Sequence, residues 1–275
     1  MNQLSMRGKK ITVFGHRGFI GTHAVSFAKK AGYDVVLPGR GEIPAGELGA
    51  VLYCIGLTAD FREYPFETVE AHVCFLKKII SECRFNSFCY LSSTRIYMRC
   101  VGSVVDEDAA IMVRPSDSSD LYNLSKLMGE SLCYATGRSK VKIARLSNIF
   151  GKGMSSDGFI SSLIETARRD GRVVIGQSAD SAKDYLHVDD AVKALFLILE
   201  NGSSRLYNVA AGRNISHGAI ANCLNACGVD VVFSPLSKTF DFPEISISRL
   251  RTEFPFMPAM GLCDFINSEM KGGII

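Results

Sequence analysis

The sequence predicts an α/β protein built on a doubly wound parallel sheet, with a small C-terminal lobe. Three observations predict it. Short apolar runs of strand length alternate with segments of helical periodicity, which is typical of a parallel sheet covered on both faces. A glycine-rich turn joins the first strand to the first helix, and the alternation weakens beyond residue 151. Together these features are typical of a Rossmann sheet.

The elements follow in order along the chain. A buried strand at 11–14 precedes a helix at 22–31, which Gly32 ends in the manner of a C-terminal glycine. The strand at 35–37 stops at Pro38-Gly39. Further strands are predicted at 50–55, 88–92 and 141–146, and further helices at 66–83, 120–135, 159–169 and 189–200. A glycine- and serine-rich loop is expected at 151–157, and the segment 231–258, with four prolines, is predicted to be irregular.

Composition excludes several classes of protein. The net charge of the 275 residues is only +3, which argues against a nucleic-acid partner. The start of the chain is polar, and the longest apolar run, 194–199, is too short to cross a membrane. We therefore expect a soluble, cytoplasmic protein without a membrane partner.

The cysteine content also favours a reducing compartment such as the cytoplasm. There are nine, no Cys-x-x-Cys pair occurs, and only His217 stands near Cys223 and Cys227. This pattern predicts buried reduced thiols and no metal site.

The glycine-rich turn predicts a dinucleotide site. Gly15, Gly18 and Gly21 have the spacing G-x-x-G-x-x-G. Glycine is needed where the backbone turns sharply, approaches a pyrophosphate, or lets a helix pack closely on a strand. The free N–H groups at the start of the helix attract phosphate, and Phe19 and Ile20, in the turn before it, are further candidates for cofactor contacts. A tight turn in an unrelated α/β protein is the alternative.

The end of the second strand indicates which dinucleotide binds. NAD sites usually place a carboxylate there to bind the ribose 2′-hydroxyl, but this chain has Pro38, followed by Gly39 and Arg40. Arg40 and Arg17 supply two guanidinium groups, which suit a 2′-phosphate. The sequence therefore favours NADP over NAD. Glu42 remains an alternative carboxylate, and either arginine an ordinary surface residue.

Two motifs carry candidate chemistry. Tyr122 and Lys126 are four residues apart on a predicted helix and so share one face. An ammonium near a phenol lowers its pKa and fits it for proton exchange with a carbonyl or alcohol oxygen. Ser92, Ser93 and Thr94 close a strand at the edge where parallel sheets bind ligands. A helix cap or a turn is the alternative role of these hydroxyls.

In this order the motifs resemble the extended short-chain dehydrogenase/reductase family, the NAD-dependent epimerases, dehydratases and reductases of nucleotide sugars. The resemblance spans nearly the whole chain, and Gly15-His16-Arg17-Gly18 is especially similar to the NADP-dependent GDP-fucose synthase branch. Further matches are Arg145-Leu146-Ser147-Asn148-Ile149-Phe150-Gly151, similar to R-x-x-N-x-[FY]-G, residues 183–190, similar to R-D-[FY]-[IV]-H-V-D-D, Tyr207-Asn208-Val209, and the segment 248–258.

The resemblance implies a role for each matching residue. Tyr122 would be the general acid/base, and Lys126 would hold the nicotinamide ribose and tune Tyr122. Ser93 would be the catalytic hydroxyl, since it lies four residues before Tyr97, the tyrosine of the family's Y-G pair. Substrate contacts are expected from Ser93, Thr94 and Asn148, and pyrophosphate contacts from Gly15, Gly18 and Gly21. A homodimer through the helices at 66–83 and 120–135 is also implied.

Departures from the family pattern limit the reaction. The family's dehydratases carry an Asp-Glu pair directly after the catalytic threonine, but Thr94 and Arg95 stand here, which argues against dehydration. His72 replaces the usual asparagine on its helix, and whether it touches ligand or catalytic residues stays open. His187 lies in a structural motif and is expected to make packing hydrogen bonds.

The leading hypothesis is an NADP-dependent reductase of a keto group on a nucleotide-linked sugar. An epimerase that removes and returns hydride is the near alternative, and a non-catalytic NADP sensor is the distant one. The predicted NADP-binding domain covers 1–150, with 184–212 returning to it. The substrate-binding lobe covers 151–183 and 213–275.

Overall fold

Strands and helices alternate along the chain, as the sequence predicts. The computed structural model describes residues 8–57, 61–239 and 242–272. Its strands are β1 (Lys10–Phe14), β2 (Asp34–Val36), β3 (Ala50–Tyr53), β4 (Ser87–Ser93), β5 (Val104–Val105), β6 (Val141–Leu146), β7 (Asn148–Phe150), β8 (Arg172–Gln177), β9 (Ala182–His187), β10 (Leu206–Val209), β11 (Asn214–Ser216), β12 (Asp230–Lys238) and β13 (Glu244–Ile245). Its α-helices are α1 (Phe19–Ala31), α2 (Pro65–Val69), α3 (Phe75–Glu82), α4 (Asp120–Ala135), α5 (Phe159–Asp170), α6 (Val188–Asn201), α7 (His217–Ala226), α8 (Ser248–Glu253) and α9 (Leu262–Lys271).

Six parallel strands form the central sheet, in the order β10-β6-β4-β3-β1-β2. The chain moves from β1 outward to β2 and then returns to the other side of β1 with β3. This reversal is a topological switch point, where open α/β sheets bind ligands at the carboxyl ends of their strands. The predicted Rossmann-type sheet is confirmed.

Helices cover both faces of this sheet. On one face Ala28 of α1 and Leu195 of α6 share a buried cluster with Ile11. On the other face Ile79 of α3 and Cys133 of α4 share a cluster with aromatic side chains of β3 and β4. Because both faces of the sheet are covered by helices, side chains on both sides of each strand are buried, and the strand sequences are continuous apolar runs.

The helix predicted at 66–83 contains a change of helical pitch. A π-helical turn at Glu70–Cys74 joins α2 to α3 without a break in the chain direction. π-turns insert one residue into a helix and often lie at functional sites. Here the turn contains His72, which is fully buried.

A second, smaller core lies in the lobe. Helices α5, α7 and α9 and strands β8 and β12 bury a cluster that includes Ile164, Ile175, Leu224 and Phe265. The prediction of an irregular segment at 231–258 is wrong in part, because β12 pairs in parallel with β8. β12 belongs to a two-stranded sheet and therefore tolerates Pro235, which falls where the pairing register shifts.

The segment after β12 returns to the central body. β13 pairs with β5, and Leu250 of α8 belongs to the central core. Arg249 Nη2 lies 2.7 Å from Asp108 Oδ2, and its Nε lies 3.8 Å from the buried carboxylate of Glu107. Glu107 in turn accepts a hydrogen bond from Asn208 N at 2.8 Å.

The expectation of reduced thiols throughout is wrong for one pair. Cys223 of α7 and Cys263 of α9 form a disulfide, with their Cα atoms 5.7 Å apart. The two helices pack side by side and bring together cysteines 40 positions apart in sequence. The other seven cysteines are free. Separately, no helix within 8–57, 61–239 and 242–272 has the length and apolarity needed to cross a membrane.

Candidate active site

The glycine turn lies at the switch point between β1 and β3. Gly15 has a φ of +76°, and a Cβ there would lie 2.8 Å from the carbonyl carbon of Cys54, just after β3. A Cβ on Gly21 would lie 2.2 Å from the Gly15 oxygen. Side chains are thus excluded at both positions, and the turn closes with Gly18 N donating to Gly15 O at 3.0 Å.

Helix α1 begins directly behind this turn, earlier than the sequence predicts. Phe19 and Ile20 are its first residues, Gly18 is its N-cap, and its first turn contains no acidic side chain. The first N–H groups of an α-helix have no partner within the helix. They remain available to an anion such as a pyrophosphate.

Three charged side chains bear on the choice of cofactor. Arg17 in the turn and Arg40 beyond β2 are both exposed. Glu42 Oε2 accepts a hydrogen bond from Gly39 N at 2.7 Å. The carboxylate therefore lies at the end of β2, close to the position where NAD sites use one.

Ser93 and Tyr122 meet at the end of β4. Tyr122 is buried in α4, and the Ser93 hydroxyl hydrogen-bonds its phenol. Ser93 Oγ also accepts from Arg95 N at 3.2 Å, so its own hydrogen is free to donate. Burial raises the pKa of Tyr122, whereas the Ser93 hydrogen bond and the Arg95 guanidinium lower it. The pair can bind an oxygen and deliver a proton to it.

Lys126 lies one helical turn away, wholly inside the protein. Its Nζ donates to Leu91 O at 2.8 Å and lies 5.8 Å from the Tyr122 ring centroid. Burial lowers the pKa of Lys126 to about 7, and the Glu130 carboxylate opposes this shift. The sequence analysis expects Lys126 to lower the pKa of Tyr122. That expectation stays a prediction. In this structure the ammonium donates to Leu91 O, and the cation that lowers the pKa of the phenol is the Arg95 guanidinium.

The loop after β3 links the glycine turn to these side chains. Cys54 contacts Gly15, and Gly56, two residues later, lies beside Lys126, since a Cβ on Gly56 would be 3.4 Å from Nζ. Residues 54–56 therefore connect the glycine turn to Lys126, one helical turn from Tyr122.

His72 contacts α4, the helix that carries the candidate catalytic residues Tyr122 and Lys126. Its Nδ1 lies 2.9 Å from Ser125 Oγ, and its Nε2 accepts from Leu57 N at 3.3 Å. Its ring meets the Tyr122 ring edge-on at 5.4 Å. Burial and the nearby Lys126 ammonium lower the pKa of His72 to about 2, so the imidazole is neutral. The sequence left open whether His72 touches ligand or catalytic residues. In the structure its ring contacts Tyr122, a candidate catalytic residue.

The remaining predicted substrate residues stand at the carboxyl end of the sheet. Thr94 is buried and begins the 3₁₀ turn Thr94–Arg99. Asn148 is exposed and its Nδ2 donates to Asp184 O at 2.8 Å. His187 has the structural role that the sequence predicts, since its Nδ1 accepts from Asp189 N at the start of α6.

A buried ion pair anchors the catalytic helix to the sheet. Arg145 of β6 binds Glu130 of α4 through Nη2 at 2.7 Å and Nε at 3.0 Å. Arg145 Nη1 also donates to Tyr97 OH at 2.7 Å, and Tyr97 OH donates to Asn208 Oδ1 at 2.8 Å. These motif residues support the site and do not line it.

Sequence reasoning missed an aromatic and cationic group beside Tyr122. The Phe61 ring lies 5.4 Å from the Tyr122 ring. The guanidinium carbons of Arg62 and Arg95 lie 4.5 and 5.6 Å from the Phe61 centroid. The only sequence signal was Arg95 itself, which directly follows the Ser93-Thr94 pair.

Comparison with known proteins gives one family match and several relatives of moderate similarity. A model of the NAD dependent epimerase/dehydratase family matches residues 46–210. The dTDP-4-dehydro-6-deoxyglucose reductase of Escherichia coli is 26% identical over 217 residues, which cover 74% of this chain and 66% of that protein. The dTDP-glucose 4,6-dehydratase of Streptomyces griseus is 27% identical over 187 residues, which cover 65% and 56%. The chain thus spans less than two thirds of the length of these relatives.

Solved structures match over almost the full chain. RMD from Pseudomonas aeruginosa complexed with NADPH has a TM-score of 0.79 and 20% identity, and the match covers 96% of this chain and 99% of that one. A UDP-glucuronic acid 4-epimerase from Bacillus cereus, in complex with UDP-glucuronic acid and NAD, has a TM-score of 0.78 and 18% identity, with 96% and 98% covered. At this identity the matches establish the fold.

Proposed function

The chain belongs to the NAD dependent epimerase/dehydratase family, and from that membership we propose that it is an NADP-dependent reductase of a keto group on a nucleotide-linked sugar. One observation carries the proposal. Residues 54–56 connect the glycine turn to Lys126, and Lys126 lies one helical turn from Tyr122, which is hydrogen-bonded to Ser93. Similarity to a dTDP-4-dehydro-6-deoxyglucose reductase also supports reduction as the reaction.

The glycine turn fits a dinucleotide. The space at Gly15 and Gly21, which a Cβ would fill, lets the backbone approach a pyrophosphate. The residues that would hold the cofactor are Gly15, Arg17, Gly18, Phe19, Ile20, Gly21, Arg40, Tyr122 and Lys126. When bound, a nicotinamide cofactor supplies hydride chemistry.

The chain's own residues position the substrate oxygen and supply the proton. Ser93 Oγ–H and Tyr122 O–H would both donate to the reacting carbonyl oxygen, and Tyr122 would protonate it as it becomes an alcohol. Buried Lys126 would bind the nicotinamide ribose, and Thr94 and Asn148 would border the sugar. Closely packed Phe61 and His72 exclude water from the phenol.

We propose NADP as the cofactor because Arg17 and Arg40 remain exposed beside the turn and the end of β2. Glu42 is already bound to Gly39 N, which supports an architectural role for that carboxylate. NADPH is present in one structural relative and NAD in others.

Purified protein incubated with NADPH and nucleotide-linked 4-keto sugars tests the proposal. We expect NADPH to be consumed in step with formation of the alcohol. Conversion of a nucleotide sugar to its epimer without net consumption of cofactor would instead identify an epimerase. The matched control is Tyr122→Phe, which removes only the phenolic hydroxyl.

A homodimer is also proposed. Helices α2 and α4 pack together on one side of the molecule and carry exposed apolar side chains, with Phe66 85% and Met128 52% exposed. Such surfaces often mark protein interfaces. Light scattering on the wild type and on Phe66→Ser tests it, and a monomeric wild type at micromolar concentration would contradict it.

A further inference from the structure

A cationic group surrounds the reacting end of the proposed site. Phe61 is its platform, with Arg62 and Arg95 over the ring and Tyr122 against it. Arg62 Nη2 donates to Ser119 Oγ at 3.0 Å, which fixes its guanidinium. Lys183 lies near enough to act on Arg95 electrostatically. Two guanidinium groups therefore lie on the ring that packs against the Tyr122 phenol.

The neighbouring carboxylates do not neutralise this group. Asp117 and Asp120 are the acids that act on Arg95, but both are bound by Arg99. Asp120 also accepts from Arg114 N at 2.7 Å and from Asn123 Nδ2 at 2.8 Å. The two carboxylates that act on Arg95 are therefore already held by other donors.

Arg95 has unused hydrogen-bonding capacity. Its Nε is buried and has no hydrogen-bond partner in the described part of the chain, and its Nη2 makes only a 3.5 Å contact with Ser119 O. A buried guanidinium N–H without a partner is costly. A guanidinium with free donors matches the two oxygens of a carboxylate.

The location of Arg95 indicates which anion binds. The Arg95 guanidinium carbon lies 5.6 Å from the Phe61 centroid, the Phe61 ring lies 5.4 Å from the Tyr122 ring, and the guanidinium acts electrostatically on the Tyr122 phenol. An anion at Arg95 therefore lies within one sugar ring of the reacting oxygen. The diphosphate of a nucleotide sugar is attached at the other side of that ring.

From this geometry we infer that the substrate sugar is acidic, with a carboxylate beside its reacting carbon that Arg95 and Arg62 bind. The substrate class is then a nucleotide-linked uronic acid. The inference rests on the proposed function and narrows it. It also gives a reason for arginine at position 95, where an acidic side chain would repel such a substrate.

Matched pairs of ligands test the inference. Calorimetric titration of the NADP-loaded protein would compare UDP-glucuronate with UDP-glucose, and GDP-mannuronate with GDP-mannose. We expect the acidic member of one pair to bind about tenfold tighter or more, the usual range for a charge-assisted paired contact. Arg95→Gln should remove that preference and leave the neutral sugar within about twofold. Arg62→Gln, at an exposed position, should reduce it in part.

Each other outcome has a distinct meaning. Equal binding within both pairs, or equal weakening of both members by Arg95→Gln, would overturn the inference and assign the arginines to the diphosphate. Failure of all four ligands to bind would also overturn the inference, whereas NADPH consumption with nucleotide-linked 4-keto sugars tests the proposed function separately. Arg169→Gln, in an exposed arginine of α5, is the control and should change neither affinity.

Discussion

His72 Nδ1 lies 2.9 Å from Ser125 Oγ, and this contact joins the π-turn between α2 and α3 to α4, the helix that carries Tyr122 and Lys126. Ser125 Oγ donates onward to Tyr122 O at 2.9 Å, and His72 Nε2 accepts from Leu57 N. These partners require the neutral tautomer with its proton on Nδ1. One imidazole thus sets the position of the helix and of the loop that borders the cofactor turn.

The buried neutral His72 should make the folded protein sensitive to acid. Its pKa is lowered from 6.5 to about 2, so below pH 6.5 the unfolded chain takes up a proton that the folded chain does not. Stability is therefore lost as the pH falls, by about 2 kcal/mol between pH 7.5 and 5. Urea denaturation of wild type and His72→Asn at both pH values measures this. Equal losses in the two proteins would contradict it.

Replacement of Tyr122 by Phe should abolish turnover and spare binding. In the proposed reaction the phenol supplies the proton, and general acid catalysis typically contributes about 10²–10⁴-fold. We expect kcat to fall by that range while the Kd for NADPH changes less than about threefold. Steady-state kinetics and fluorescence titration measure the two. Unchanged kcat would show that the proton comes from another group.

Two glycines of the turn should respond differently to alanine. At Gly21 a Cβ would lie 2.2 Å from a backbone oxygen, whereas at Gly18 it would lie 3.4 Å from the same atom. Gly21→Ala should cost about 3 kcal/mol or more and abolish NADPH binding. Gly18→Ala should cost less than about 1 kcal/mol. Thermal melting and NADPH titration of both variants would refute the packing argument if their effects were equal.

Loss of the Arg145 guanidinium should destabilise the protein strongly. Arg145→Met would leave the Glu130 carboxylate buried without its partner, which typically costs about 3–5 kcal/mol. The Arg169–Asp170 pair is exposed, so Arg169→Met should cost less than about 0.5 kcal/mol. Free energies of unfolding in urea compare the two. A loss below about 1 kcal/mol at Arg145 would count against a structural role for the pair.

The cofactor preference should depend on two exposed arginines. Arg40→Ser and Arg17→Ser should each weaken NADPH binding by about tenfold or more, since each would remove one of the two charged contacts proposed for the 2′-phosphate. Binding of NADH should change little. Glu42→Gln is the informative comparison, because weaker NADH binding in that variant would assign the ribose hydroxyl to Glu42 and favour NAD.

Local patterns predicted the parts of the fold that depend on neighbours in sequence. The bounds of α4 and β6 agree with the expected 120–135 and 141–146, because helical periodicity and a fully buried strand are visible in the residues themselves. The glycine turn could be located for the same reason. The motif order also indicated the family, and with it Ser93 and Tyr122.

Tertiary contacts account for what the sequence did not reveal. Phe61 contacts Tyr122 only because the fold brings the two rings together. The position of the Arg95 guanidinium near the Phe61 ring depends on the same tertiary packing. The disulfide between Cys223 and Cys263 depends on how α7 and α9 pack. β12 was overlooked because prolines around it suggested a loop, although its pairing with β8 tolerates one.

The return of the 244–253 segment to the central body gives the molecule a high contact order. Arg249 binds Asp108 across 141 positions of sequence, and β13 pairs with β5 over a similar span. A chain emerging from the ribosome can form the glycine turn and α4 long before these partners exist. The Glu107 carboxylate lacks its Arg249 partner until the C-terminal segment has folded. We therefore expect the region around Glu107 to reach its final structure late in folding.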